Sequence, residues 1–140
     1  MGTRAVYFFE DSDGVYGAYK HYDGYPSGAA DFIENAKEYA WPFPRFEADE
    51  FAAAFVAANK AKKGGEVRLL PMFESTSIDM VMEDHKWCDY YYVISWGVEV
   101  SKLVVEIYGR KYNAVFDSYD WHKEAEMTHD TMLRAYAEES

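Results

Sequence analysis

One cysteine, four prolines and only 14 basic residues are what this chain of 140 residues has little of. Cys88, being alone, excludes an intramolecular disulfide and fits a reducing compartment. No apolar run approaches the ~20 residues of a membrane-spanning helix, so no membrane partner is expected. The start "MGTRAVYFFED" lacks a signal-like apolar stretch, which places the expected location in the cytoplasm. Gly-x-x-x-x-Gly-Lys-Ser/Thr, Gly-x-Ser-x-Gly and His-Glu-x-x-His patterns are all missing, so neither a cofactor nor a catalytic residue is expected. Four scattered histidines (His21, His85, His122, His129) beside one cysteine rarely meet the three or four ligands of a zinc site, and no metal is expected. Cys88 follows His85 by three residues, but the expected reading is a buried, inert thiol.

The shortage of bases leaves 25 acidic residues dominant and a net charge of −11. Such a chain is repelled by phosphate backbones and anionic lipid, which disfavours direct nucleic-acid binding. A basic protein is attracted instead. Aromatic residues are plentiful, with 13 Tyr, 9 Phe and 4 Trp, more than one compact core readily hides. Some rings are therefore expected at the surface.

The pattern predicts one α+β domain over residues 1–140. Thr3 to Phe9 reads as a strand, Asp13-Gly14 as a hairpin turn, and Val15 to Tyr22 as the returning strand. Pro26 opens a helix to about Ala40, with Phe32, Ala36, Tyr39 and Ala40 as its apolar stripe. "WPFPRF" interrupts it, and a second helix starts near Ala48 with Phe51, Phe55 and Ala58 inward, ending at "KAKKGG" with Gly64 as cap. Glu66 to Leu70 is a short strand, and Ile78 to Met82 a further one in an otherwise unreadable stretch. "DYYYVIS", "KLVVEIY" and "KYNAVFD" form a meander with a turn at Gly109-Arg110. Trp121 to Glu138 closes the chain as a helix with His122 and His129 on one face. The expected architecture is a mainly antiparallel sheet, N-terminal hairpin plus C-terminal meander, covered by two central helices and a C-terminal helix.

"HYDGYPSG", residues 21–28, is the most particular phrase. As a corner it is well made: Asp23 turns onto its own backbone, Pro26 is preorganised for a first helical turn, and Ser27 or Asp23 caps the amides. As a ligand site it offers His21, Asp23, Tyr25 and Ser27 beside free helix-start amides suited to a nucleotide or other anion. With its lead-in "VYFFEDSDGVYGAYKHYDGYP", the phrase resembles a His-aromatic-Asp-Gly-Tyr-Pro-x-Gly pattern in small uncharacterised proteins encoded by phages, prophages and other mobile elements. The resemblance covers about the first 40 residues. It implies a setting inside a bacterial host cell and no particular chemistry.

A second candidate site is the acidic stretch Glu74, Asp79, Glu83, Asp84 and Asp89, read as a mobile loop, followed by Tyr90, Tyr92 and Trp96 as aromatic anchors. Together these describe a non-enzymatic binding protein that occupies a basic surface of a host nucleic-acid-handling or defence protein. Surplus aromatics and edge strands also invite a homodimer.

Overall fold

Ten elements order the described part of the chain, residues 2–62 and 66–137 of the computed structural model. They are β1 (Ala5–Asp11), β2 (Gly14–Lys20), α1 (Pro26–Lys37), α2 (Ala48–Ala61), β3 (Val67–Leu70), α3 (Ile78–Glu83), β4 (Tyr90–Gly97), β5 (Lys102–Asn113), β6 (Ser118–Thr128) and α4 (His129–Ala135). The strands form one sheet in the order β3-β2-β1-β4-β5-β6. All neighbours are antiparallel except β1 and β4, which run parallel with Ala5 opposite Tyr90. The fold is α+β.

Alternation along the strands gives the sheet two apolar faces. Tyr7, Phe9, Tyr92, Ile94, Val105 and Ile107 point toward α1, α2 and α4 and form the main core. Phe55 of α2 sits 4.7 Å from the Tyr7 ring and 5.1 Å from that of Phe9. Val6, Phe8, Tyr91 and Val93 face the other way and are partly roofed by Val81 and Met82 of α3 and by Cys88. Burial, assisted by Asp89, pushes the Cys88 thiol up to about 12, so it is inert at neutral pH.

The Asp13-Gly14 turn is where the sequence places it, and Asp11 is its fastener. One carboxylate oxygen accepts the amides of Asp13 (2.8 Å) and Gly14 (3.1 Å), and the other accepts that of Ala48 (2.8 Å) at the start of α2. Burial works against the charged form, but these three donors outweigh it and hold the carboxyl below its usual range.

Several expectations are corrected. Ile78–Glu83 is helix rather than strand or mobile loop, because Ser77 Oγ accepts the Met80 amide and nucleates the turn. The α1 stripe is Ala29, Ala30, Ile33 and Ala36; Tyr39 lies beyond the helix end and is exposed. Neither Ser27 nor Asp23 caps α1: its N-cap is Tyr25, with no side-chain hydrogen bond. Gly109-Arg110 is no turn. β5 runs through it, and the chain reverses at residues 114–117, where Asn113 Oδ1 accepts the Val115 amide and Asp117 adopts a positive φ of 49°. Trp121 to Thr128 is strand, held by β5, and only the short α4 follows, capped by Thr128. Gly64 and Glu138 lie outside the described residues.

The longer β5 has a consequence for shape. β4 pairs with β5 only up to Gly109, whereas Arg110–Asn113 continue to pair with Ser118–Trp121. Four residue pairs extend past the end of β4 as a two-stranded arm about 13 Å long. Its tip bears Val115 and Phe116, 84% and 75% exposed.

Candidate functional site

The corner at residues 21–28 is packed at Gly24 and from Pro26 to Gly28, while Tyr22 and Asp23 are exposed. Asp23 adopts a positive φ of 59°, which turns the chain out of β2. The Gly24 amide donates to Thr3 O at 2.8 Å, and its carbonyl accepts the buried Tyr92 hydroxyl at 2.5 Å. The Asp23 carbonyl lies so close to the Cα of Gly28 that a side chain there would overlap it. Pro26, Ser27 and Gly28 are buried, so the helix start presents no open cradle. His21 Nδ1 is 2.8 Å from the Tyr19 hydroxyl, and its amide donates to Glu66 O. Of the four residues expected to form a ligand site, His21 and Asp23 face solvent to different extents, Ser27 is buried at the edge of a small hollow beside Asp31 and Leu133, and Tyr25 lines a different cleft, so the four do not converge.

The aromatic anchors separate as well. Tyr92 is wholly buried, stacked on Tyr7 at 5.1 Å, and so cannot be a surface anchor. Tyr90 and Trp96 share its face of β4; Trp96 packs on Phe43 and Phe46. Exposed rings are elsewhere, among them Tyr39, Trp41, Phe73, Trp87, Tyr112, Phe116 and Tyr119. Alternation within "DYYYVIS" identifies Tyr90 and Tyr92 as sharing one face, but it does not say which face the helices cover.

Part of the acidic stretch does converge, with carboxylates of β5 and β6 as its partners. Asp79 and Glu83 of α3 face Asp120 across a groove of about 220 Å³ floored by Tyr91 and Trp121. Trp121 Nε1 donates to Met82 O at 2.9 Å and fixes α3 against the root of the arm. On the adjoining sheet surface, Glu106 accepts the Tyr108 hydroxyl at 2.7 Å. Lys123 bridges Glu106 (3.3 Å) and Glu126 (2.5 Å), and Lys86 pairs with Glu83 (2.8 Å). Burial, then Tyr108 and after it Asp79 and Glu106, raise the Tyr91 hydroxyl; burial, then the hydrogen bond to Glu106 and the charges of Glu106, Asp79 and Glu126, raise that of Tyr108. Burial and then Glu106 raise the Glu10 carboxyl. Glu10, Asp79, Glu83, Glu106, Asp120 and Glu126 thus share one region, with Lys86 and Lys123 as the lysines paired to them among the described residues. Asp84 is exposed at the end of α3, and Glu74 lies apart, in a hollow beside Asp13, Tyr16 and Phe73.

Asp89 belongs to another cluster. It accepts the Arg4 amide at 3.0 Å and pairs with Arg110 at 3.3 Å; Arg110 also donates to Lys86 O at 2.6 Å and lies 4.2 Å over the Tyr119 ring. With Tyr25, Tyr90 and Glu124 these residues line a cleft of about 340 Å³ between the sheet end and the arm.

His122 and His129 share no helix face: His122 is on β6, and His129 is 1% exposed at the start of α4. His129 Nε2 lies 2.8 Å from Ala30 O, which makes it the donor of a neutral imidazole. Burial lowers the pKa below 6.5, aided by Lys37, while the Ala30 carbonyl, Glu34 and Asp130 act in the opposite direction. The unfolded chain takes up this proton near pH 6.5, the folded one only at lower pH, so the contribution is complete above pH 6.5 and fades below it. A His129→Gln variant is expected to lose less stability than the wild type between about pH 7 and pH 5, read from urea midpoints. An equal loss in both proteins would remove His129 from this role.

Among the described residues no group of three His, Cys, Asp or Glu side chains is arranged to hold a metal ion, and no helix is long and apolar enough to cross a membrane. Comparison with known proteins gives no matching family model, no matching curated protein and no matching solved structure.

Proposed function

We propose that the protein is a non-enzymatic acidic binding protein whose α3-bearing sheet face occupies a basic surface of another protein. In the bacterial, mobile-element setting implied by the corner phrase, the partner is a cytoplasmic host protein that handles nucleic acid or acts in defence, and occupying its basic surface inhibits it. The observation that carries the reading is the gathering of Glu10, Asp79, Glu83, Glu106, Asp120 and Glu126 around Tyr91, Tyr108 and Trp121. Carboxylates held this close repel one another and oppose compactness, so their grouping calls for a role other than stability. A basic partner relieves that repulsion, and field complementarity speeds its encounter. The aromatic floor supplies contact area.

A nucleotide or anion module at the corner has less behind it, since the first-turn residues of α1 are packed and the nearest cleft carries carboxylates. For two copies of this chain, the long outer edge is β6. His122, Lys123, Glu124 and Glu126 are exposed along it, and a bulge interrupts its register, features that work against strand addition.

The test is retention of basic proteins from a bacterial extract on the immobilised protein, compared with Asp79→Asn/Glu106→Gln/Glu126→Gln. The wild type is expected to retain a basic protein, the triple variant about tenfold less, and retention is expected to collapse between about 50 mM and 300 mM salt. Retention that is equal for both proteins, or insensitive to salt, rejects the proposal.

A further inference from the structure

We propose that the cleft under the arm is a binding site for an organic ammonium group. This inference does not rest on the acidic face, which uses other residues.

The cleft is made by the fold's irregularities. Beyond Gly109 the arm leaves β4 behind, so the ends of β1 and β4 and the Tyr25 corner lie open beneath it. The register shift between Ile107 and Tyr108 sets Ala125 opposite the first and Lys123 opposite the second, leaving Glu124 as the extra residue of a bulge. Bulges re-aim side chains, often beside binding sites. Glu124 then lies across Gly109, where any Cβ would overlap its carboxylate. A bulge and a glycine together make room for this one acid.

The chemistry of the lining selects the ligand. Arg110 is already engaged by Lys86 O, Asp89 and the Tyr119 ring, and it is not free to receive an anion. Asp89 is held by Arg4 and Arg110. Glu124, by contrast, has no hydrogen-bond or ion-pair partner among the described residues. Burial raises the Tyr25 hydroxyl, and so do the charge of Asp23 and a hydrogen bond to it, which brings a further carboxylate to the rim. Two carboxylates, Asp89 and Glu124, therefore line the cleft beside one committed guanidinium, and with Glu124 unpaired the local field favours a cation. Tyr25 and Tyr90 line the cleft beside the Arg110–Tyr119 pair, and an ammonium against tyrosine with a carboxylate nearby is a favourable arrangement. The volume, about 340 Å³, suits a choline-sized group.

Choline chloride serves as the free ligand, and a short peptide carrying a single lysine as a protein-borne ammonium. Amide shifts in a 1H–15N spectrum are followed against equal sodium chloride. The expected result is a saturable shift confined to Thr3, Tyr25, Tyr90 and Glu124 with at least one of the two probes. Glu124→Gln is expected to weaken it about fivefold, while Glu126→Gln, on the acidic face, leaves it unchanged. Shifts with both probes that match sodium chloride, or a Glu124→Gln affinity equal to that of the wild type, overturn the assignment. Loss of choline binding with retained basic-protein binding would fail this inference alone.

Discussion

Phe55→Ala lowers the free energy of unfolding by about 4 kcal/mol. The ring is wholly buried and touches both Tyr7 and Phe9, so it is the contact through which α2 grips the central strand β1. Alanine removes the transfer free energy of the ring and leaves a void that helix and sheet backbones cannot close. Phe46 is the internal control: it is only half-buried and packs on Phe51 and Trp96, and Phe46→Ala is expected to cost less than half as much. Urea unfolding of both variants measures the difference. A Phe55→Ala loss under about 1.5 kcal/mol would show that α2 is not seated on β1 in this way.

Gly28→Ala is expected to destabilise the protein by about 3 kcal/mol. The sign carries the argument. In an ordinary helix this change stabilises by up to about 1 kcal/mol, because alanine is the better helix former. Here the added Cβ meets the carbonyl of Asp23, whose positive φ already fixes the corner, and the obstacle is backbone rather than a flexible side-chain end. A thermal midpoint about 10 °C below that of the wild type is the expected reading. A midpoint unchanged or raised would mean that the corner has slack.

The hairpin, the start of α1 at Pro26, the start of α2 and its Phe51-Phe55-Ala58 face were legible because local chemistry specifies them: a turn dipeptide, a proline and a 3.6-residue period. β6 was not. Residues 121–138 combine good helix formers with a weak apolar period, and only pairing with β5 makes residues 121–128 strand. Gly109 was misleading for a related reason. A glycine beside a charged residue signals a turn locally, whereas its use here is to admit the Glu124 side chain from the neighbouring strand. The acidic reading identified Asp79, Glu83 and Asp84, yet Glu106, Asp120 and Glu126 join Asp79 and Glu83 only through β5, β6 and the placement of α3. Tyr25, Asp89 and Tyr90 were singled out for separate purposes. No spacing in the chain announces that they line one cleft.

The parallel pairing of β1 with β4 has a bearing on how the protein is made. The two strands are 85 residues apart, and β1 is central to the sheet. A nascent chain emerging from the ribosome presents β1, β2 and both large helices well before "YYVI" is synthesised, so one side of the central strand stays unsatisfied during that interval. Folding of the core waits on residues beyond the midpoint, and a ribosome stalled before residue 90 carries an open apolar edge of the kind that chaperones recognise.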